Sequence, residues 1–115
     1  MTEPDWTKEF PASITVCDPR GLILEMNGRA AEGFAADGGA ALVGRNVLDC
    51  HPEPARTKLR DMLASGRSNV YTIRKNGRKK IVFQSPWFAA GRYLGFVELA
   101  FEVPEVMPHF DRDKK

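Results

Sequence analysis

The chain has 115 residues, enough for one domain and short for two; 43% hydrophobic and 28% charged residues are ordinary for a soluble globular protein. A domain of this length buries roughly two-thirds of its unfolded surface, so it needs neither disulfides nor a metal to hold together. Its 17 basic and 15 acidic residues leave a net charge of +2, too even a balance to make nucleic acid or a membrane surface the expected partner. The opening MTEPDWTKEF is polar and acidic, unlike a signal peptide. No apolar run approaches the roughly 18 to 20 residues of a membrane span. Two cysteines, Cys17 and Cys50, suit a reduced cytoplasmic protein better than a secreted disulfide scaffold.

Residues 1–11 read as a lead-in, with Trp6 and Phe10 as anchors either on the domain's own flank or at a dimer contact. Two apolar strands follow, about Ser13–Asp18 and Leu22–Met26, separated by the turn Asp18-Pro19-Arg20-Gly21. Strict alternation on the second strand puts Leu22, Leu24 and Met26 on one face, with Ile23 and Glu25 on the other. Asn27 is placed to cap a small-residue helix running through Ala30, Ala31 and Phe34. Residues 35–46 form a glycine-rich loop with one or two helical turns and no phosphate-binding string.

The clearest helix lies within DCHPEPARTKLRDMLASG. Pro52 or Pro54 suits its first turn, Leu59, Met62 and Leu63 form a buried stripe, and Gly66 ends it. Three strands complete the pattern. NVYTIRK and KKIVFQSPWF flank Asn76-Gly77, a strong two-residue hairpin signal, and Gly91-Arg92 turns into YLGFVELAFEV. On the last strand Tyr93, Val97, Leu99, Phe101 and Val103 share one face. Leu94, Phe96 and Ala100 lie beside Glu98 and Glu102 on the other, which is read as the outer, partly apolar face suited to homodimerisation. Pro86 predicts a local break or bulge in its strand. Strands separated from a block of helices indicate an α+β domain with an antiparallel sheet.

The order of elements, the D-x-x-G hairpin, the N-x-x-A helix and the final three-strand meander together resemble a PAS domain over about residues 12–103. The resemblance implies a five-stranded antiparallel sheet in the order 2-1-5-4-3, with helices packed on one face. It also implies a cavity between the two that in many members holds heme, flavin or a small organic ligand. The residues it places around such a cavity are Phe34, Asn46, Cys50, His51, Leu63, Phe83, Trp87 and Val97. Gly44-Arg45-Asn46 matches the start of the flavin-photosensor motif, but Val47 stands where the photoactive cysteine would be, so no thiol adduct with flavin can form.

His51 is a candidate axial ligand for heme by position, and Cys50 beside it a candidate iron ligand or, if it lies at a helix N-terminus, a redox-sensitive thiol. The alternative is a helix-entry turn in which His51 or Asp49 bonds backbone amides and Cys50 packs inward. Cys17 and His109 lack the paired spacing of a zinc site. Arg74, Lys75, Arg78, Lys79 and Lys80 crowd one hairpin tip, either as a solvated end that discourages strand pairing or as a dock for an acidic partner. No catalytic set is visible. The expected protein is therefore a non-enzymatic bacterial regulator, binding a small ligand or a downstream signalling protein. The tail 104–115 is too short for an output domain, so the chain acts through a partner or belongs to a longer regulator.

Overall fold

The computed structural model describes residues 5–113, so the ends of the lead-in and tail, 1–4 and 114–115, lie outside the described residues. Five strands form one antiparallel sheet, β1 (Ser13–Cys17), β2 (Ile23–Met26), β3 (Asn69–Lys75), β4 (Arg78–Ala89) and β5 (Arg92–Glu102). Their order across the sheet is β2-β1-β5-β4-β3, as the resemblance implied. Between β2 and β3 run helix α1 (Gly28–Gly33), three short 3₁₀ turns (Ala35–Asp37, Gly39–Leu42, Val47–Cys50) and helix α2 (Ala55–Ser65). Met62 and Leu63 of α2 cluster with Cys17 of β1 and Phe96 of β5, which holds this block on one face of the sheet.

The local signals act through identifiable bonds. Asp18 closes the first hairpin by accepting from the backbone N–H of Arg20 and of Leu22, both at 2.9 Å, while Gly21 takes a positive φ of 96°. Asn76 and Gly77, at φ 54° and 75°, turn the β3–β4 hairpin. Gly66, at φ 64°, ends α2 with its N–H on the Met62 carbonyl. Pro54 occupies the cap position rather than the first turn of α2.

Two readings of strand faces are overturned. A register shift opposite Val16 and Cys17 pairs Thr15 with Met26 but Cys17 with Ile23, so an extra residue bulges from β2. The bulge breaks the alternation: Ile23 is buried, whereas Leu22 and Leu24 are exposed. On β5 the expected faces are exchanged. Phe96 and Glu98 point towards the helices, and Val97, Leu99 and Phe101 form the outer face. Both faces of this strand are largely apolar, so alternation alone could not choose between them. A shift also falls between Trp87 and Phe88, one residue beyond Pro86, which itself stays in register with Phe96. β3 begins only opposite Gln84, so Pro86 has no neighbour on its second side and its missing N–H breaks no ladder there.

Asn27 ties the N-terminal half together. Its Oδ1 accepts from the Ala30 and Ile14 amides at 3.0 and 2.9 Å, and its Nδ2 donates to the Thr7 and Ala12 carbonyls at 2.8 and 2.7 Å. One buried side chain thus caps α1 and fixes both β1 and the lead-in. Asn27→Ala leaves these groups short of partners, and we expect a loss of about 3 kcal/mol in urea unfolding, against about 1 for an ordinary cap. A loss below about 1 kcal/mol would mean that water replaces the side chain freely.

Candidate functional site

Between the sheet and the helical block lies a cavity of about 150 Å³. Its walls are mostly apolar: Cys17, Ile23, Met26 and Phe96 from the sheet, with Phe34, Leu42, Val47 and Leu59 from the helical side. Polar groups enter at two places. Thr15, Gln84 and Glu98 rise from the sheet floor, and Asp37, Cys50 and His51 stand on the opposite wall. A second, more open hollow of about 290 Å³ between α2 and β3 shares His51, Leu59 and Gln84 with the cavity, so the two adjoin at these three side chains.

The floor is built by register. Thr15 pairs with Glu98 across β1 and β5, Glu98 with Gln84 across β5 and β4, and Gln84 with Asn69 across β4 and β3. Four polar side chains therefore lie in one row. Asn69 Nδ2 donates to Gln84 Oε1 at 3.2 Å, and Gln84 Nε2 donates to Glu98 Oε2 at 2.7 Å. Gln84 is buried, with 8% of its surface exposed. Thr15 Oγ1, at the far end of the row, is buried without a hydrogen-bond partner.

On the opposite wall, His51 Nδ1 lies 2.7 Å from the Val47 carbonyl. A carbonyl only accepts, so Nδ1 carries the proton and Nε2 of the neutral ring is left as an acceptor. The His51 carbonyl in turn accepts from Arg56 Nε at 2.9 Å, fastening this turn to the start of α2.

Of the eight residues expected around the cavity, the structure brings Phe34, Cys50 and His51 to it. The other five sit elsewhere. Asn46 is a strut: its Oδ1 accepts from the Leu48 amide at 2.9 Å and its Nδ2 donates to the Arg20 carbonyl at 3.1 Å. Leu63 belongs to the packed core, where its carbonyl accepts from the Tyr93 hydroxyl at 2.8 Å. Phe83 and Val97 alternate with Gln84, Phe96 and Glu98, and so face away from the cavity. Trp87 pairs with Gly95, where an added Cβ would stand 2.6 Å from its indole nitrogen, so the ring covers that glycine. Sequence reasoning missed Thr15, Gln84 and Glu98, whose signal was a polar residue within the apolar stretch of its strand.

None of the known family models matches the chain, and no curated protein does. Solved structures do. The PAS domain of BvgS from Bordetella pertussis is 17% identical with a TM-score of 0.63, over 86% of this chain and 82% of that one. A sensory box sensor histidine kinase from Vibrio cholerae is 13% identical at 0.63, over 83% of each chain. The Aer2 receptor of Vibrio cholerae, described as a dual PAS-heme oxygen sensor, is 17% identical at 0.59, over 81% of this chain and 95% of that one.

The chain has the PAS fold.

Within that fold the present residues do not fit heme or flavin. A hollow of about 150 Å³ is the size that admits one benzene ring, well below the roughly 300–1,000 Å³ of sites for larger ligands. No Lys or Arg lines it to meet propionates or phosphates, and two carboxylates do. Among the described residues no three His, Cys, Asp or Glu side chains gather as a metal site, and no helix is long and apolar enough to cross a membrane.

The two cysteines differ sharply. Cys17 is buried in the core, and loss of water around the thiolate pushes its pKa from 9.0 up to about 11. Cys50 is exposed rather than packed inward, and it closes a 3₁₀ turn instead of opening a helix. The positive field of a helix N-terminus, which would activate it, is therefore not at its position. With iodoacetamide at pH 8, peptide mass spectrometry should show Cys50 labelled at the rate of an ordinary thiol. Cys17 should stay unmodified until the pH nears 11 or the fold opens. Labelling of Cys17 first would contradict the burial.

Proposed function

We propose that this chain is a non-enzymatic PAS sensory module, which binds a small ligand in its cavity and passes the change through its sheet to a second copy or a signalling partner. The observation that supports this most is the cavity itself. Protein interiors leave few voids larger than a water molecule, so an apolar hollow of about 150 Å³ with convergent polar groups is the natural binding-site candidate. Two of the solved structures it resembles are described as sensors, one a sensory box sensor histidine kinase and the other a dual PAS-heme oxygen sensor. His51 bonds a backbone carbonyl rather than orienting a nucleophile, which supports the non-enzymatic reading.

Toluene tests the cavity without assuming the natural ligand. We expect saturating toluene to raise the melting temperature of the wild type and to leave Val47→Phe, which fills the hollow, unmoved. A wild type indifferent to toluene would remove the reading.

The outer face of the sheet is the proposed route of signalling. Val70, Ile81, Phe83, Val97, Leu99 and Phe101 share it by register, and Val70 and Phe83 are 62% and 37% exposed. A contiguous apolar sheet face of this kind suits an isologous contact with a second copy. Phe83→Glu should convert a dimer to a monomer in sedimentation equilibrium, since charge repeats across a two-fold interface. A wild type that stays monomeric at high concentration would exclude this contact.

A further inference from the structure

The polar row on the cavity floor has a direction, and the direction names a ligand chemistry. Asn69 donates to Gln84, and Gln84 spends one amide N–H on Glu98, so both amide hydrogen bonds in the row run towards the carboxylate. Glu98 Oε2 is taken by this bond, and Oε1 has no protein partner among the described residues. Beside it in the register stands Thr15, whose buried hydroxyl is likewise unpartnered. A buried hydroxyl left in that state is costly, and a ligand atom at this point would relieve it. Across the cavity, His51 Nε2 is an acceptor and Asp37 a second carboxylate, with no Lys or Arg among the lining residues. The lining thus carries two carboxylates and no Lys or Arg to balance them.

Resting on the cavity reading above, we propose that the Glu98–Thr15 pole selects a small single-ring or short-chain nitrogen compound, an amine, amidine or N–H heterocycle. Its N–H donates to Glu98 while its carbon skeleton fills the apolar remainder. Carboxylates and phosphates are rejected, because they would face Glu98 and Asp37 without a compensating cation.

Three ring compounds of similar size separate the terms: 2-aminopyridine, toluene and benzoate, titrated by ligand-observed NMR against the full chain. We expect 2-aminopyridine to bind, benzoate not to bind, and Glu98→Gln to weaken 2-aminopyridine at least about tenfold while toluene is unaffected, since a hydrogen bond to a charged group is worth at least that factor. Thr15→Val, also near-isosteric, should weaken 2-aminopyridine less and leave toluene unchanged. Circular dichroism of both variants confirms that they fold, and Thr15→Val carries the test if Glu98→Gln does not. Toluene binding with no preference for 2-aminopyridine over benzoate, or with no effect of either variant, overturns the selectivity and leaves the cavity reading standing. Failure of toluene overturns the cavity reading and, with it, the selectivity that rests on it.

Discussion

The register locking β5 between β1 and β4 is the constraint on which the rest of this molecule depends. It sets Thr15, Glu98 and Gln84 side by side on the concave face, and it puts Val97, Leu99 and Phe101 on the other. A slip of one residue would exchange the faces, placing a carboxylate outside and three bulky apolar side chains in the hollow. Gly95 helps to prevent the slip. Any Cβ there would lie 2.1 Å from the Cys17 carbonyl and 2.6 Å from the Trp87 indole nitrogen, so only glycine lets these two groups close over β5. The same close approach leaves the indole N–H buried without an acceptor, a cost accepted where the backbone is tightest.

Sheet and helices are joined by few but specific links. Asn27 binds the lead-in, β1 and α1 through one amide, and Asn46 binds the hairpin loop to the 3₁₀ turn that carries Cys50 and ends beside His51. The Tyr93 hydroxyl reaches the Leu63 carbonyl from β5 to the end of α2. Burial and the neighbouring Cys17 and Asp18 raise the pKa of that phenol, which keeps it a donor at any ordinary pH. None of these side chains lines the cavity. They can therefore hold the helical block at a fixed height above the sheet without filling the space between.

The element order was legible because it rests on local chemistry. Asp18 and Gly21, Asn27, Gly66, and Asn76 with Gly77 each impose a turn or a cap regardless of what lies across the molecule. The cavity was legible only in part. Phe34, Cys50 and His51 belong to the helical side, where position in the chain predicts position in space. The floor was not, because its polarity comes from pairings 14 to 83 residues apart in sequence, set by the register of β5 between β1 and β4. Apolar residues on both faces of β5 removed the signal that normally tells inside from outside. Val97 was assigned to the wrong side for that reason.

The basic hairpin tip gains a role from the same topology. Arg78 pairs with Glu102 at 3.0 Å, and Arg74 makes a two-pronged contact with Glu105, one bond of which is 2.9 Å. Both pairs are exposed, so each adds little to stability. Their effect is geometric: they bind the far end of β3 and β4 to the last strand and the residues beyond it. The guanidinium beside Glu105 lowers its carboxyl pKa, so this contact persists into mildly acidic solution. Glu102 lies on the same face of β5 as Glu98, four residues further on, so one strand joins the cavity floor to the hairpin tip and to the chain's exit from the sheet. The opposite face of that strand carries Val97, Leu99 and Phe101, so the polar floor and the apolar outer surface are two sides of one register.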